Sequence, residues 1–511
     1  MEVGAEGFAR HLPCLRRRIL RATFVALDME FTGLHSTSLQ NNEPSLFDSP
    51  AERYVKARQG VQRFTLVQLG KCGSDTESDL PRYVVHSYNF FLFPSTLGVK
   101  DVEFTLSASS IQFLSHYGFD YNKFLKDGIP YMNEVQEKFL RQHLLAGTWK
   151  VCSNADRDVM KKAIDEVTTW IAAAKEGDTL ILQDLSGYHM IDVQLVLRQA
   201  LENVWTEPLG DKKVIVKKVN PEHRQLLENS SYDHCKEELI LLSARGFTNL
   251  FEILVKVKKP LVGHNMLMDL MHLHDKFYRP LPESYEEFKR NIHNLFPVII
   301  DTKTVTKSVQ KKCLFPRVSS LVEAYAVLCS SNLNPKGPPC PVIALASGCS
   351  RYAEKKFPHE AGYDAFLCGS GKIFLKNSFR VCVEICGAVE AEPSFSQYLT
   401  VLAEHVNKVN FIRGGVSSIN FSGEDSPCRH PPALVVHVRG WPGLTEEQIY
   451  QEFKAHCRFD VRRLSKNQFI LLSNKYKHVR HVLRDYRHHP HLQVSVYRHW
   501  RHSPSVNCLL Q

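Results

Sequence analysis

Among the 511 residues no stretch approaches the ~20 consecutive apolar residues of a membrane-spanning helix, and the chain ends just as it turns apolar, at Cys508-Leu509-Leu510-Gln511. The start also lacks a signal peptide: a basic run, Arg16–Arg18, is followed only by the short apolar stretch Thr23–Leu27. Fourteen cysteines are present without a single C-x-x-C pair, the nearest two being Cys382 and Cys386, which argues against zinc ribbons and for buried thiols in a reducing compartment. Internal repeats and low-complexity tracts are absent as well. What is present is an ordinary folded-protein composition, with 43% hydrophobic and 23% charged residues, in a chain long enough for two or three domains.

The net charge of +10 is concentrated in one place. Residues 454–502 carry twelve Lys/Arg against only Asp460 and Asp485, and without them the chain balances at 52 charges of each sign. A basic C-terminal module fits a polyanion, either nucleic acid or an anionic membrane surface.

Hydrophobic spacing organises the rest. Phe8, Leu12, Leu15 and Ile19 recur at helical intervals and lead into a buried strand, Phe24–Leu27. Two more strand candidates, Phe64–Leu69 and Tyr83–Phe93, complete an antiparallel meander, and residues 107–126 read as one helix. From about 151 to 239 charged helices such as Asp156–Ala174 and a basic stretch, Lys212–Lys218, suggest an inserted α+β subdomain. Alternation then resumes with helix Phe247–Val257, strand Leu261-Val262, a helix from Asn265 and strand Val298–Ile300, which is an α/β pattern. Residues 334–350 are rich in Pro, Gly, Cys and Ser and read as a surface loop, and 386–430 has no clear period. A final β-α-β-α-β module runs from Val435 to Tyr497.

Three segments carry chemistry. Asp28-Met29-Glu30 ends a strand, so residues i and i+2 turn two carboxylates to one face, where repulsion is relieved by a hard cation such as Mg²⁺ or Mn²⁺; the alternative is a solvated strand end. Asp269 lies in Met266–Met271, one turn beyond Asn265, and points back toward the strand end unless it occupies the wet face of an amphipathic helix. His359 and Asp364 stand five residues apart across a helix start, where a histidine titrating near neutrality can serve as a base, or can simply cap the helix from the surface.

In order, these segments resemble the three motifs of the DEDDh exonucleases, a ribonuclease-H-like family. Glu30-Phe31-Thr32-Gly33-Leu34, Gly128-Ile129-Pro130-Tyr131, Leu261–Asp269 and His359–Asp364 resemble its poly(A)-specific ribonuclease branch over most of residues 20–370. Within that branch the likeness is strongest to the trimmers of PIWI-interacting RNA precursors, and it continues through Phe459-Asp460-Val461-Arg462-Arg463 to the C-terminus. The resemblance implies Asp28, Glu30, Asp269 and Asp364 as ligands of two divalent cations, Mg²⁺ or alternatively Mn²⁺, with His359 as general base. It implies hydrolysis of single-stranded RNA from the 3′ end with release of nucleoside 5′-monophosphates. PIWI-bound precursors, a Tudor-domain scaffold and the cytoplasmic side of a mitochondrial or endoplasmic-reticulum membrane follow from the same likeness. It organises the chain as a nuclease domain in two parts, 8–150 and 240–385, an inserted subdomain at 151–239, and a basic RNA-recognition-motif-like module at 425–502.

Three features depart from the family pattern. The insert lacks the family's Arg-x-x-x-His spacing. Gly369-Ser370-Gly371-Lys372 interrupts the helix after Asp364, at a cost of about 1 kcal/mol for each glycine in a helix interior, so early breakage and weaker support of Asp364 are expected. The membrane-anchoring tail of trimmer-like proteins is missing, which suggests a shortened form. His272 with His274, and His488-His489 with His491, lack partners at ligand spacing and are expected to be solvated. The final module lacks an aromatic base-stacking signature, with Phe469 the one aromatic on its central strand. Two rivals to the trimming enzyme remain: a general poly(A) deadenylase and a catalytically inactive RNA-binding adaptor.

Overall fold

A computed structural model describes the chain except residues 35–43, 77–81, 97–101, 146–153, 186–188, 211, 231–232, 234, 313–317, 319, 330–341, 370–394, 428–430, 441–442, 457–458, 474, 504 and 507–511. The chain divides into two compact units, one formed by Met1–Leu34 and Arg58–Lys408, the other by His35–Ala57 and Val409–Gln511.

The centre of the first unit is a mixed sheet. Strands β1 (Glu2–Val3), β2 (Phe24–Phe31), β3 (Leu66–Thr76), β4 (Arg82–Pro94) and β5 (Ile129–Tyr131) come from its first part. β6 (Thr179–Leu182), β7 (Val204–Pro208) and β8 (Val214–Lys218) form a separate three-stranded sheet. β9 (Leu261–Gly263), β10 (Ile299–Asp301) and β11 (Val342–Leu345) return to the main sheet, whose order is β1-β4-β3-β2-β9-β10. The meander β2-β3-β4 is antiparallel, as its aromatic and β-branched runs predict, and β9 and β10 join β2 in parallel. β11, β1 and β5 lie end to end along the outer edge of β4, pairing at Arg82–Val85, Asn89–Phe90 and Leu92–Pro94 and covering backbone groups that would otherwise offer an open edge.

The first helix, Ala5–Arg21, buries Phe8, Leu15 and Ile19, the spacing read from the sequence. Residues 107–126 form two helices, Ala108–His116 and Tyr121–Asp127, instead of one. Gly118 at φ +80 ends the first, and the Asp120 carboxylate caps the second by accepting from the Asn122 and Lys123 N–H groups, so a local capping signal overrides the continuous apolar period. The stretch 334–350 is not wholly a loop: Val342–Leu345 pairs with Arg82–Val85, a partner more than 250 residues away that no local signal reveals.

The three-stranded sheet has its own core. Helix Asn154–Ala173 contributes Met160, Ala163 and Val167, helix His189–Ala200 contributes Val193 and Leu197, and Val204, Val214 and Val216 complete it from the strands.

In the second unit β14 (Leu434–Val438), β15 (Asp460–Ser465), β16 (Gln468–Leu472) and β17 (Leu492–Val496) make an antiparallel sheet ordered β15-β16-β14-β17, preceded in the chain by the hairpin-like pair β12 (Lys408–Asn410) and β13 (Ser418–Asn420). Helices Glu446–Phe453 and Tyr476–Asp485 pack on one face. The first opens with a Thr445/Gln448 capping box. The module is therefore β-α-β-β-α-β, one strand more than the sequence suggests. Asp460-Val461-Arg462-Arg463 is too polar to read as a strand alone, and it is held by pairing with Phe469–Leu472.

Candidate active site

Strand pleat sets the first step. Along β2, Phe24, Ala26, Asp28 and Glu30 share one face, and the two apolar residues of that face pack with Tyr363, Phe366 and Leu367 of helix Ala361–Gly369. The helix thus lies on the face that carries both carboxylates. Glycine permits the close approach: a Cβ on Gly70, the β3 residue opposite Asp28, would sit 1.8 Å from the Ala361 carbonyl oxygen, and one on Gly369 would sit 2.1 Å from the Ala26 Cβ. At the helix start the Ala361 N–H donates to Gln68 Oε1 at 2.9 Å, the Gly362 N–H donates to Asn89 Oδ1, and the Ser87 hydroxyl donates to the Gly362 carbonyl at 2.7 Å. These bonds fix Asp364 one turn inside the helix. The residues flanking it are described through Gly369, and the whole segment Ala361–Gly369 is buried; Ser370, Gly371, Lys372, Cys382 and Cys386 lie outside the described residues.

Asp269 reaches the same place from the far side of β2. β9 ends at Gly263, and Asn265, at φ +64, is not yet helical; the helix begins at Leu267. Asp301, at the end of β10, accepts from the Asn265 N–H at 2.9 Å and the Met266 N–H at 3.1 Å, which pins the turn between strand and helix. The Met29 main chain, between Asp28 and Glu30, lies close enough to Asp269 to offset part of the rise in its pKa, which places this carboxylate beside the strand. The His272 ring lies 4.2 Å from that of Phe31, and the helix continues as a π-helical turn, Leu273–Tyr278. Carboxylates thereby gather at the C-terminal ends of the adjacent parallel strands β2 and β9, the end at which open α/β sheets hold their ligands.

Burial and mutual repulsion dominate the electrostatics. Burial, then Asp364, Asp269 and Glu30, pushes Asp28 well above the usual carboxylate range, and burial, then Asp364 and Asp269, does the same to Glu30. Asp269 is pushed up to about 7 by burial, assisted by Asp301, and Asp364 to about 7 by burial, assisted by Glu360. Asp269 Oδ1 and Asp364 Oδ1 are buried without a hydrogen-bond partner, and among the described residues no Lys or Arg forms an ion pair with any of the four carboxylates. Two buried acids with unpartnered oxygens, Asp269 and Asp364, beside the half-buried Asp28 and Glu30 and without a protein counter-charge among the described residues, form a group of hard oxygen donors of the kind that suits a divalent cation. Ligand atoms of Glu30, His359 and Asp364 lie within 4.8 Å of one another.

His359 faces this cluster from a left-handed position, φ +63, with its own N–H donating to Asp364 Oδ2 at 3.1 Å. Its ring packs against Phe113 at 4.6 Å and Tyr117 at 4.4 Å, and burial lowers its pKa, so the neutral, proton-accepting imidazole prevails at neutral pH.

The sequence signature of the CAF1 family ribonucleases matches residues 3–371. The chain belongs to the CAF1 family of ribonucleases. Its class of activity, 3′-to-5′ exoribonuclease, follows from that membership and from its relatives. Poly(A)-specific ribonuclease PNLDC1 of Mus musculus is 56% identical over 100% of this chain and 96% of its own length. Pre-piRNA 3′-exonuclease trimmer of Bombyx mori is 27% identical over 98% of this chain and 94% of its own. Poly(A)-specific ribonuclease PARN of Homo sapiens is 30% identical over 93% of this chain and 76% of its own.

For this CAF1-family chain, all five residues singled out by sequence meet at one place, and the supporting residues are those the sequence hid. Gln68, Ser87, Asn89 and Asp301 act through main-chain groups of distant segments and carry no local signature. His272 and His274 are fully buried, contrary to their expected solvation. His274 is satisfied, its Nδ1 paired with the Arg279 carbonyl at 2.8 Å and its Nε2 with Asn291 Nδ2 at 3.1 Å. Of the C-terminal histidines, His488 and His491 are exposed and His489 is half-buried.

Proposed function

We propose that Asp28, Glu30, Asp269 and Asp364 hold two divalent cations, Mg²⁺ or alternatively Mn²⁺, and that His359 is the general base for hydrolysis at the 3′ end of single-stranded RNA. The observation that carries the reading is the convergence of four mutually repelling carboxylates, Asp269 and Asp364 buried and Asp28 and Glu30 half-buried, beside one neutral histidine. The cations, when bound, supply positive charge that ionises the carboxylates and stabilises charge developing at phosphorus. His359 accepts the proton of the attacking water as the new P–O bond forms. The 3′ oxygen of the preceding nucleotide departs, and the released product is a nucleoside 5′-monophosphate. Phe113 and Tyr117 hold the imidazole ring in place while their own faces stay about two-fifths exposed, at 43% and 42%.

The physiological substrate in this reading is the 3′ extension of piRNA precursors. Support comes from the near full-length match to the Bombyx mori trimmer, 94% of that protein, against 76% of the human PARN. The insert at 151–239 without its Arg-x-x-x-His spacing points the same way. By resemblance, PIWI-bound precursors and a Tudor-domain scaffold at the cytoplasmic face of a mitochondrial or endoplasmic-reticulum membrane are the setting; no helix among the described residues is long and apolar enough to cross a membrane. In this reading 151–239 is an inserted α+β subdomain and 425–502 an RNA-recognition-motif-like module, in keeping with the β-α-β-β-α-β order above.

The test is incubation of purified protein with 3′-extended RNA, with Mg²⁺ or with chelator, resolving product length. Metal-dependent stepwise shortening of mixed-sequence 3′ extensions is expected. Shortening confined to oligoadenylate would instead favour the deadenylase, and no shortening at all would favour the inactive adaptor.

A further inference from the structure

Residues 454–502, within the second unit, carry the chain's excess positive charge, and the two faces of its sheet module differ. On the sheet, Leu434, Val436, Phe469, Leu471 and Leu492 point into the helix-covered core. The register places Val435, His437, Gln468, Ile470, Gln493 and Ser495 on the opposite face, together with Arg462. Within the four strands none of the described residues on that face is Phe, Tyr or Trp, and Tyr497, next in the alternation just past β17, is half-buried with its N–H donating to the Ala433 carbonyl, so the strands themselves offer no platform on which bases could stack. Part of it is covered by the unit's own chain. The Ser45 hydroxyl, at 3.2 Å, and the Leu46 N–H donate to the Asp460 carboxylate, Arg413 pairs with the same carboxylate, and the Arg462 guanidinium sits 4.7 Å above the Phe47 ring. Val435 and Leu472 of that face are buried accordingly.

The helix Tyr476–Asp485 is the opposite case. Val479 and Val482 face the core, and Leu483 and Tyr486 pack beside them. Lys477, Arg480, Arg484 and Arg487 recur at intervals of three and four and form one exposed stripe roughly 15 Å long. Lys477, Arg480 and Arg487 have no acidic partner among the described residues, and only Arg484 is paired, with Asp485 at 2.8 Å. Tyr476, one turn before Arg480, is 62% exposed. A row of four cations, three of them without an acidic partner among the described residues, ending in an exposed aromatic ring combines the two elements that hold single-stranded nucleic acid without sequence preference. A membrane surface is less well matched: an interfacial helix needs a free apolar face, and the apolar face of this one is spent on the core.

We propose that the C-terminal unit binds single-stranded RNA by its phosphates along the Lys477–Arg480–Arg484–Arg487 stripe, with Tyr476 stacking on a base, and not on the face of its sheet. The proposal rests on the ribonuclease reading for its choice of polyanion. The test uses the full chain and an unstructured long RNA, with chelator to suppress hydrolysis, titrated between about 50 and 200 mM salt. Lys477→Gln/Arg480→Gln/Arg487→Gln, all at exposed positions, is expected to melt like wild type. It should reduce the slope of log affinity against log salt by about 2, three contacts at about 0.7 each, and weaken binding tenfold or more at the lowest salt. Tyr476→Ala is expected to lower affinity with an unaltered slope. Ser495→Glu, on the sheet face, is expected to change neither. An unaltered slope in the triple variant overturns the proposal, including the case in which that variant loses binding to phosphatidylserine vesicles; so does a loss produced by Ser495→Glu. Mg²⁺-dependent shortening of a very short RNA is read in parallel: its absence from the wild-type protein counts against the ribonuclease reading and leaves the slope comparison intact.

Discussion

Replacing Asp269 by Asn separates catalysis from stability and tests the electrostatic account of the site. Asn keeps the shape of the side chain and one carbonyl oxygen, and removes the charge. In the metal-free protein the raised folded value means that ionising Asp269 opposes folding. That group's penalty is absent below the unfolded value of 3.8, grows as pH rises and levels off above about 7. The interval from 3.8 to about 7 corresponds to about 4 kcal/mol at full ionisation, an upper bound because repulsion is shared with the neighbouring acids. Asp269→Asn is therefore expected to melt several degrees above wild type in chelator near pH 8, with the advantage shrinking toward pH 5. Adding Mg²⁺ reverses the order, since only the wild type keeps the full ligand set and gains from binding. Hydrolysis of 3′-extended RNA falls by at least about a thousandfold, as loss of a ligand from a shared cluster implies. Thermal melts at the two pH values with and without Mg²⁺, read beside product-length gels, decide the matter. A variant no more stable than wild type in chelator near pH 8, or one retaining full hydrolysis, refutes the reasoning.

His359→Ala is expected to lower turnover at neutral pH while leaving RNA affinity in place, with the deficit narrowing as pH rises and hydroxide replaces the base; unchanged turnover with lost affinity would make His359 a substrate ligand. Because burial holds the imidazole below its ordinary value, the wild-type rate should fall only below about pH 6.5, and Phe113→Ala, which uncovers the ring, should move that acid limb upward in a pH–rate profile. Gly70→Ala is expected to abolish hydrolysis and lower the melting temperature, because its methyl would stand 1.8 Å from the Ala361 carbonyl and force the Asp364 helix off the sheet; wild-type rates would show that the helix yields freely. Gln68→Ala removes the acceptor for the Ala361 N–H and is expected to cost about 1–3 kcal/mol in stability, measurable by denaturant unfolding, along with part of the turnover.

The chemistry-bearing residues were legible because each sits beside a strong local signal. The strand period around Asp28 and Glu30, the charge stranded in Met266–Met271 and the helix start after His359 can all be read from a few neighbouring residues. Their family resemblance supplied the order and the roles expected of them. The meander and the amphipathic first helix were legible for the same reason, since their patterns are spelled out within single segments. What the tertiary structure decided depends on partners remote in sequence. Val342–Leu345 becomes a strand only because β4 offers an edge to it, and Asp460–Ser465 only because β16 does. Gly70 and Gly369 matter through the surface they let approach, and Gln68, Asn89 and Asp301 through main-chain groups far along the chain that they hold. The burial of His272 and His274 and the contacts of Ser45, Leu46, Phe47 and Arg413 with the C-terminal sheet are likewise invisible to any window of sequence. Local periodicity determines which elements form and which face is apolar; which surface then closes over that face, and how far it raises a carboxylate, is a property of the assembled neighbours alone.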